Sequence, residues 1–202
     1  MDRFDGRAYQ ARFDTLADQG VDVHGEAALV RYLNAGSVLD AGCGSGRVAI
    51  ELAEHGIEVV GVDVDASMIA EARRRAPGLT WIQADLATFD LGRLFDVVVM
   101  AGNVPLFCPV ADRPALVRAC ASHVTLGGAL VAGFQLDKGF SPAGFEVDHG
   151  YLLGDYDSAC RDSGLTLAER WATWDRQPFT AGDNYAVSVH RRPPWPSEAR
   201  RP

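Results

Sequence analysis

Between residues 37 and 134, short apolar segments alternate with segments whose apolar residues recur at helical spacing, and this alternation constrains the fold most. Because neighbouring parallel strands need long crossover connections, usually helices, the alternation predicts a doubly wound α/β fold with a mostly parallel sheet. The predicted strands are residues 37–40, 57–62, 79–82, 95–101 and 129–134, and the predicted helices are residues 47–55, 66–75 and 113–123.

The segments outside this core complete the predicted domain organisation. Two helical segments before the first strand form a predicted N-terminal helical cap or lid, residues 1–35, in front of a Rossmann-like domain, residues 36–190. That domain contains a glycine-rich excursion at residues 136–154 and ends in two further strands, which makes seven strands with an antiparallel edge. Residues 191–202, with four prolines and four arginines, are predicted to be a disordered tail.

Composition argues against several functional classes. The formal net charge of -8 argues against a protein that binds nucleic-acid backbones. The four cysteines form no CxxC pair, and neither HExxH nor an acidic cluster is present, so no metal is predicted. Residues 1–20 are polar and no apolar run approaches the ~18 residues of a membrane span, which predicts a cytoplasmic protein without a membrane partner.

Polar or glycine residues follow each of the first four predicted strands. In open α/β sheets, ligands bind beyond the carboxyl ends of the strands, so these positions are candidates for a binding site. The candidates are Asp40 with the loop Gly42, Cys43, Gly44 and Gly46 after the first strand, Asp63 and Val64 after the second, Asp85 and Leu86 after the third, and Ala101, Gly102 and Asn103 at the end of the fourth.

The glycine loop separates two classes of nucleotide-binding enzyme. A nicotinamide-binding loop of the GxGxxG type that begins at Gly42 needs a third glycine at position 47, where this chain has Arg47. An acidic residue about 20 positions further on, here Asp63, suits either class. A nicotinamide-dependent oxidoreductase therefore remains only as a lesser alternative.

Four motifs in order carry a family resemblance: VLDAGCGSGR, VVGVDVDASMI, QADLATF and FDVVVMAGN. Together they resemble the successive motifs of the class I S-adenosylmethionine-dependent methyltransferases, over roughly residues 37–134. The resemblance implies that S-adenosyl-L-methionine is the cofactor and that the glycine loop lies against its methionine part. It further implies that Asp40 lies near the cofactor's amino end, that Asp63 binds the ribose hydroxyls and that Met68 lies on the adenine ring.

The remaining roles at the cofactor are implied in the same way. Asp85 would bind the adenine amino group and Leu86 the adenine edge through its backbone. Gly102 and Asn103 would border the methyl donor. Tyr9 and Phe13 form one apolar stripe on the first helix, and related enzymes use such a helix as a lid over the substrate.

The acceptor and its base are less constrained. His24, or His149 beside Glu146 and Asp148, is the candidate general base, because a histidine titrates near neutral pH. The fourth strand ends in Gly102-Asn103-Val104-Pro105, which lacks the Pro-Pro-aromatic sequence of methyltransferases that act on exocyclic amines of DNA. The leading hypothesis is a small organic acceptor, and a non-catalytic protein that binds the cofactor or a partner is the alternative. No feature predicts an oligomeric state.

Overall fold

The computed structural model describes residues 5–137, 139–140, 146–147 and 150–194. Seven helices are numbered in chain order: α1 Gly6–Asp18, α2 Gly25–Tyr32, α3 Arg47–Glu54, α4 Ala66–Arg75, α5 Val104–Phe107, α6 Arg113–Ser122 and α7 Leu153–Asp162. The strands are β1 Ser37–Ala41, β2 Glu58–Asp63, β3 Thr80–Gln83, β4 Phe95–Met100, β5 Val124–Gln135, β6 Gly139–Phe140, β7 Glu146–Val147, β8 Thr166–Trp171 and β9 Tyr185–Arg191.

Seven of these strands form one sheet in the order β3-β2-β1-β4-β5-β9-β8. The first five strands along the chain pair in parallel, and β9 pairs antiparallel with both β5 and β8. The predicted doubly wound sheet with an antiparallel edge is therefore confirmed. Because the chain leaves β3 at one edge and returns beside β1, the strand order switches between β1 and β4, where ligands bind in such sheets.

Both faces of the sheet are covered, as the apolar character of its strands requires. Successive residues of one strand pack into opposite layers: Val97 and Val99 lie on the side of α2, α3 and α4, whereas Val98 lies on the side of α6 and α7. All three valine side chains are buried. Each contributes about 1.5–3 kcal/mol by leaving water, so the central strands anchor both layers.

Three elements differ from the sequence prediction. The short helix α5 was not predicted, because it is only four residues long and contains Pro105. Strand β5 begins five residues earlier than predicted, since Val124 already pairs with Phe95 of β4 through a register irregularity. Helix α7 begins at Leu153, within the predicted excursion, whose described part includes the pair β6 and β7.

No helix within the described residues is both long and apolar enough to cross a membrane. Residues 195–202 of the predicted tail lie outside the described residues. The division into a cap and a Rossmann-like domain stays a prediction.

Candidate cofactor site

A cavity of about 260 Å³ opens at the carboxyl ends of β1, β2 and β4. Ten of the residues that line it were predicted as cofactor or lid residues: Tyr9, Gly42, Gly44, Asp63, Val64, Met68, Asp85, Leu86, Ala101 and Gly102. The remaining wall is formed by Asp65, Val104, Phe107, Cys108, Pro109 and Leu116.

Two glycines of the loop after β1 lack a side chain for different reasons. Gly46 has a φ of 84°, and a Cβ there would lie 2.5 Å from the Trp81 ring. Gly44 also has a positive φ, 53°, but the nearest atoms to its Cβ would be Tyr9 and Met68 at 3.7 and 3.9 Å. Gly46 therefore serves packing, whereas Gly44 leaves the cavity open.

Asp63 links the second strand to the glycine loop. Its Oδ2 accepts a hydrogen bond of 2.8 Å from the Gly44 N–H, and its Oδ1 accepts one of 2.9 Å from the Asp65 N–H. Burial raises the pKa of the Asp63 carboxyl, while these backbone hydrogen bonds act to lower it. The carboxylate is thus held in one orientation on the cavity wall.

Asp40 lies outside the lining residues and is only 1% exposed. Its Oδ2 accepts a hydrogen bond of 3.1 Å from the Ala49 N–H of α3, and its Oδ1 has no partner among the described residues. Burial raises the pKa of this carboxyl to about 7, although the nearby Arg47 opposes the shift. A buried carboxylate oxygen without a donor is a position that favours a positively charged or N–H group.

The third and fourth strands contribute the other side of the cavity. Asp85 accepts a hydrogen bond of 2.9 Å from the Ala87 N–H through Oδ1, and Met68 and Leu86 are buried. Asn103 does not line the cavity, unlike Gly102 before it. Its side chain is buried and exchanges hydrogen bonds with Gln135 at the end of β5: its Oδ1 accepts from the Gln135 N–H at 2.9 Å, and its Nδ2 donates to Oε1 at 3.3 Å.

Helix α1 packs across this cavity. Tyr9 lines it, and the Tyr9 ring lies 5.2 Å from that of Phe13. The Ser45 hydroxyl of the glycine loop donates a buried hydrogen bond of 2.7 Å to Gln10 of α1. Gly6 fits directly against the Ser67 backbone of α4, where a Cβ would lie 2.5 Å from the Ser67 carbonyl oxygen. The cap is thus attached to both the glycine loop and α4.

Arg47, the residue after the glycine loop, joins both cap helices to the sheet domain. Its guanidinium donates to both carboxylate oxygens of Glu26 in α2, at 2.9 and 2.6 Å, and to the Val23 carbonyl. It also lies over the Phe13 ring of α1, 4.4 Å from the ring centre. This contact was not predicted, because in the sequence Arg47 only distinguishes two loop types.

The candidate bases do not line the described cavity. His24 is half-exposed at the start of α2, and its Nδ1 lies 3.3 Å from Glu51 of α3. His149, with its neighbour Asp148, lies outside the described residues. Four other predicted residues do not line the cavity: Phe13, Cys43, Gly46 and Asn103. Among the described residues no group of three or more His, Cys, Asp or Glu side chains could hold a metal ion.

The apolar end of the cavity was not predicted from the sequence. Phe107, Cys108, Pro109 and Leu116 lie in or after the unpredicted helix α5, and together they line the cavity beyond Gly102. The position of this segment, directly after β4 at the strand-order switch, is the signal that would have found it.

Comparisons with known proteins agree with this geometry. Residues 38–128 match a family model described as "Methyltransferase domain". A solved TehB-like SAM-dependent methyltransferase from Corynebacterium glutamicum is 29% identical, with a TM-score of 0.81 over 93% of this chain and 97% of that one.

Two curated relatives are similar over part of their length. The dTDP-3-amino-3,6-dideoxy-alpha-D-glucopyranose N,N-dimethyltransferase of Streptomyces fradiae is 36% identical over 120 residues, which are 56% of this chain and 47% of the relative. The dTDP-3-amino-3,4,6-trideoxy-alpha-D-glucopyranose N,N-dimethyltransferase of Streptomyces venezuelae is 30% identical over 127 residues, 62% of this chain and 50% of the relative. The chain spans about half the length of these relatives.

The order of motifs, the sheet topology and the matched family model point to one family and replace the oxidoreductase alternative. S-adenosylmethionine is the cofactor that this family uses. Over residues 38–128 the chain matches the methyltransferase domain model, and its motifs and fold resemble those of the class I S-adenosylmethionine-dependent methyltransferases.

Proposed function

We propose that the protein transfers a methyl group from S-adenosylmethionine to a small organic acceptor. The observation that carries this proposal is the single cavity wall on which the glycine loop and two strand-end carboxylates, Asp63 and Asp85, continue into the apolar segment after β4. Polar groups at one end suit the nucleoside and amino acid parts of the cofactor. The apolar end suits an organic acceptor beside the methyl group.

The residues present fit the cofactor. Gly44 leaves space beside the loop, and the buried Asp40 Oδ1 lacks a donor that an amino group would supply. In this proposal Asp63 binds the ribose hydroxyls, Asp85 and Leu86 bind the adenine edge, and Met68, Val64, Ala101 and Gly102 border the bound molecule. When bound, the cofactor supplies a sulfonium methyl group that an acceptor can displace.

Asp63 is oriented before any ligand arrives, because the Gly44 and Asp65 N–H groups each hold one of its oxygens. Each carboxylate oxygen has a second lone pair, so both remain able to accept a bond from a vicinal diol. Such preorganisation lowers the entropy lost on binding. The chain thus binds and orients the donor chiefly through groups fixed by the backbone.

The acceptor end excludes water and positions the acceptor. Phe107, Pro109 and Leu116 present carbon atoms to the cavity, and Tyr9 brings an aromatic ring from the cap. Methyl transfer from a sulfonium is an in-line displacement, so orientation in a dry pocket is the main contribution that the protein makes. The cap is proposed as a lid on this end, and a role of His24 or His149 as general base stays a prediction.

The relatives support a small acceptor. Both curated relatives are named as N,N-dimethyltransferases of amino sugars. A primary or secondary amine on a compact organic molecule is therefore the first acceptor class to screen. A non-catalytic role is distinguished from this proposal by turnover, which is measured as S-adenosylhomocysteine released in the presence of the acceptor panel.

The cofactor assignment is tested by calorimetric titration with S-adenosylhomocysteine and, separately, with NADH. We expect binding of S-adenosylhomocysteine only, and we expect Asp63→Ala to bind it about 100-fold more weakly, which corresponds to the loss of two charge-assisted hydrogen bonds. Glu54→Ala, which changes an exposed carboxylate of α3, is the matched control and should bind normally. Equal affinity of Asp63→Ala and the wild-type protein would remove the ribose assignment.

A further inference from the structure

A second cavity, of about 530 Å³, lies between the start of α6 and the start of α7. One chain segment separates it from the cofactor cavity: Cys108, Pro109 and Leu116 line the cofactor cavity, whereas Val110 and Arg113 line the second. The other lining residues used below are Tyr151, Leu152, Asp155 and Asp162.

Arg113 is a buried cation without a counter-ion among the described residues. The residue is 4% exposed, and its guanidinium makes one hydrogen bond within the described part of the chain, 3.0 Å to the Gly150 carbonyl oxygen. Its Cζ lies 5.0 Å from the centre of the Tyr151 ring, while its Nε is buried and has no partner there. A buried guanidinium without an anion is costly, so the fold alone does not account for Arg113.

Tyr151 adds a second donor. It is 5% exposed, and its hydroxyl is buried without a partner in the described residues. The ring is fixed by Phe134 and Tyr156, whose ring centres lie 5.4 and 5.7 Å away. Arg113 and Tyr151 are in contact, and each keeps a buried donor without an acceptor in the described residues, which suits an anionic oxygen.

The rim of the cavity has the opposite character. Val110 is 62% exposed and Leu152 is 66% exposed, and both line the cavity. Exposed apolar side chains beside buried donors suit a molecule with an apolar body and a polar end. Asp155 and Asp162 also line the cavity and would repel a ligand with additional negative charge.

We propose that this cavity binds an organic monoanion, with a carboxylate on Arg113 and Tyr151 and an apolar body between Val110 and Leu152. The site is distinct from the cofactor cavity, so its occupation does not depend on methyl transfer. A carboxylate accepts from a guanidinium and a phenol at once, which satisfies both buried donors.

The test is a calorimetric titration of the full chain at pH 7.5 in the presence of saturating S-adenosylhomocysteine. Three ligands of similar size separate charge from shape: phenylacetate, phenylacetamide and phenyl phosphate. We expect phenylacetate to bind at least 10-fold more tightly than the neutral amide. Phenyl phosphate should also bind more weakly than phenylacetate, because a phosphate monoester carries about -1.5 to -2 charges at this pH.

Two variants and a control complete the experiment. Arg113→Met should weaken phenylacetate binding at least 10-fold and should not lower the melting temperature of the unliganded protein, because it removes an unpaired buried charge. Tyr151→Phe should weaken binding by a smaller factor. Arg118→Met changes an exposed arginine of the same helix and should leave binding unchanged.

The proposal is overturned if the wild-type protein binds phenylacetate no better than the amide, or if Arg113→Met binds it as tightly as the wild type. A large drop in the melting temperature of Arg113→Met would assign the guanidinium to the support of Gly150 and Tyr151 instead. The titration measures binding and not turnover, so failure here leaves the methyl-transfer proposal unaffected.

Discussion

The two halves of the sheet differ in how many of their buried polar atoms are hydrogen-bonded. Within the described residues, eight buried side-chain nitrogen or oxygen atoms make no hydrogen bond of good geometry, although one of them, His190 Nε2, lies 3.1 Å from Asp157. One of them, Asp40 Oδ1, belongs to the half formed by residues before α5, whereas the other seven belong to the half formed by α6, α7, β8 and β9 and the adjoining loops. The half that carries the sequence motifs is thus almost fully paired.

The paired half shows how a cofactor loop is kept rigid. Asp96 of β4 accepts hydrogen bonds of 2.9 Å from the N–H groups of Gly36 and Ser37, which fixes the entry to β1. Asp63 holds the loop at the other end of that strand. In the second half, by contrast, each unpaired buried group costs about 1–3 kcal/mol, which the packing of that half must offset. Three substitutions probe this difference.

The largest effect is expected at Gly46. Gly46→Ala places a Cβ at a positive φ and 2.5 Å from Trp81, so strain and overpacking should lower the free energy of unfolding by about 3–5 kcal/mol. Gly44→Ala is the matched variant, because its φ is also positive but its Cβ enters the cavity. It should lose about 1–2 kcal/mol of stability and also bind S-adenosylhomocysteine more weakly. Denaturant unfolding measures the stability of both variants. Equal losses of stability would contradict the different roles of the two glycines.

Asp40 tests the one exception in the paired half. Its pKa is raised from 3.8 to about 7, so the folded state holds the proton more tightly than the unfolded chain. The resulting stability is present below about pH 4 and is lost as the pH rises to about 7. Asp40→Asn keeps an acceptor for Ala49 and cannot ionise. The free energy of unfolding of this variant, relative to that of the wild type, should therefore rise by about 2–3 kcal/mol between pH 5 and pH 8. Unfolding measured at both pH values checks this, and parallel pH profiles would disprove it.

His190 tests the second half with the opposite sign. This buried ring lies 3.1 Å from Asp157, yet burial outweighs that carboxylate and lowers the pKa of His190 from 6.5 to about 4. Its contribution to stability is present above about pH 6.5 and is lost as the pH falls towards 4. The free energy of unfolding of the wild-type protein should therefore decline between pH 7.5 and pH 5. His190→Phe should remove about 2 kcal/mol of that decline.

A control for this prediction changes the same hydrogen-bond network but no titrating group. Ser188→Ala removes the hydroxyl that accepts from Arg170, at 3.1 Å, and leaves His190 in place. It should keep the wild-type decline at low pH. If His190→Phe also keeps that decline, acid sensitivity arises elsewhere in the chain.

The fold was predictable where local patterns carry it. The apolar strands between residues 37 and 101, the helices between them and the glycine loop are each defined by neighbouring residues. Helix α5 escaped prediction because four residues give no periodicity, and the early start of β5 depends on pairing with β4, which no local pattern encodes.

The site was predictable to a similar degree. The strand-end residues line the cavity, because the carboxyl ends of parallel strands meet at one sheet edge. His24 does not line the cavity and lies beside Glu51 of α3, and its role as a base stays a prediction. Arg113 and Tyr151 meet only through the tertiary fold, since 37 positions separate them in the sequence.

The Arg47 contacts have a consequence for how the molecule opens. Because Arg47 is covalently next to Gly46, is ion-paired with Glu26 and lies over Phe13, the cap cannot lift without breaking both contacts at the end of the glycine loop. We therefore expect loop and cap to unfold locally as one cooperative unit, although 20 residues of chain lie between Glu26 and Arg47.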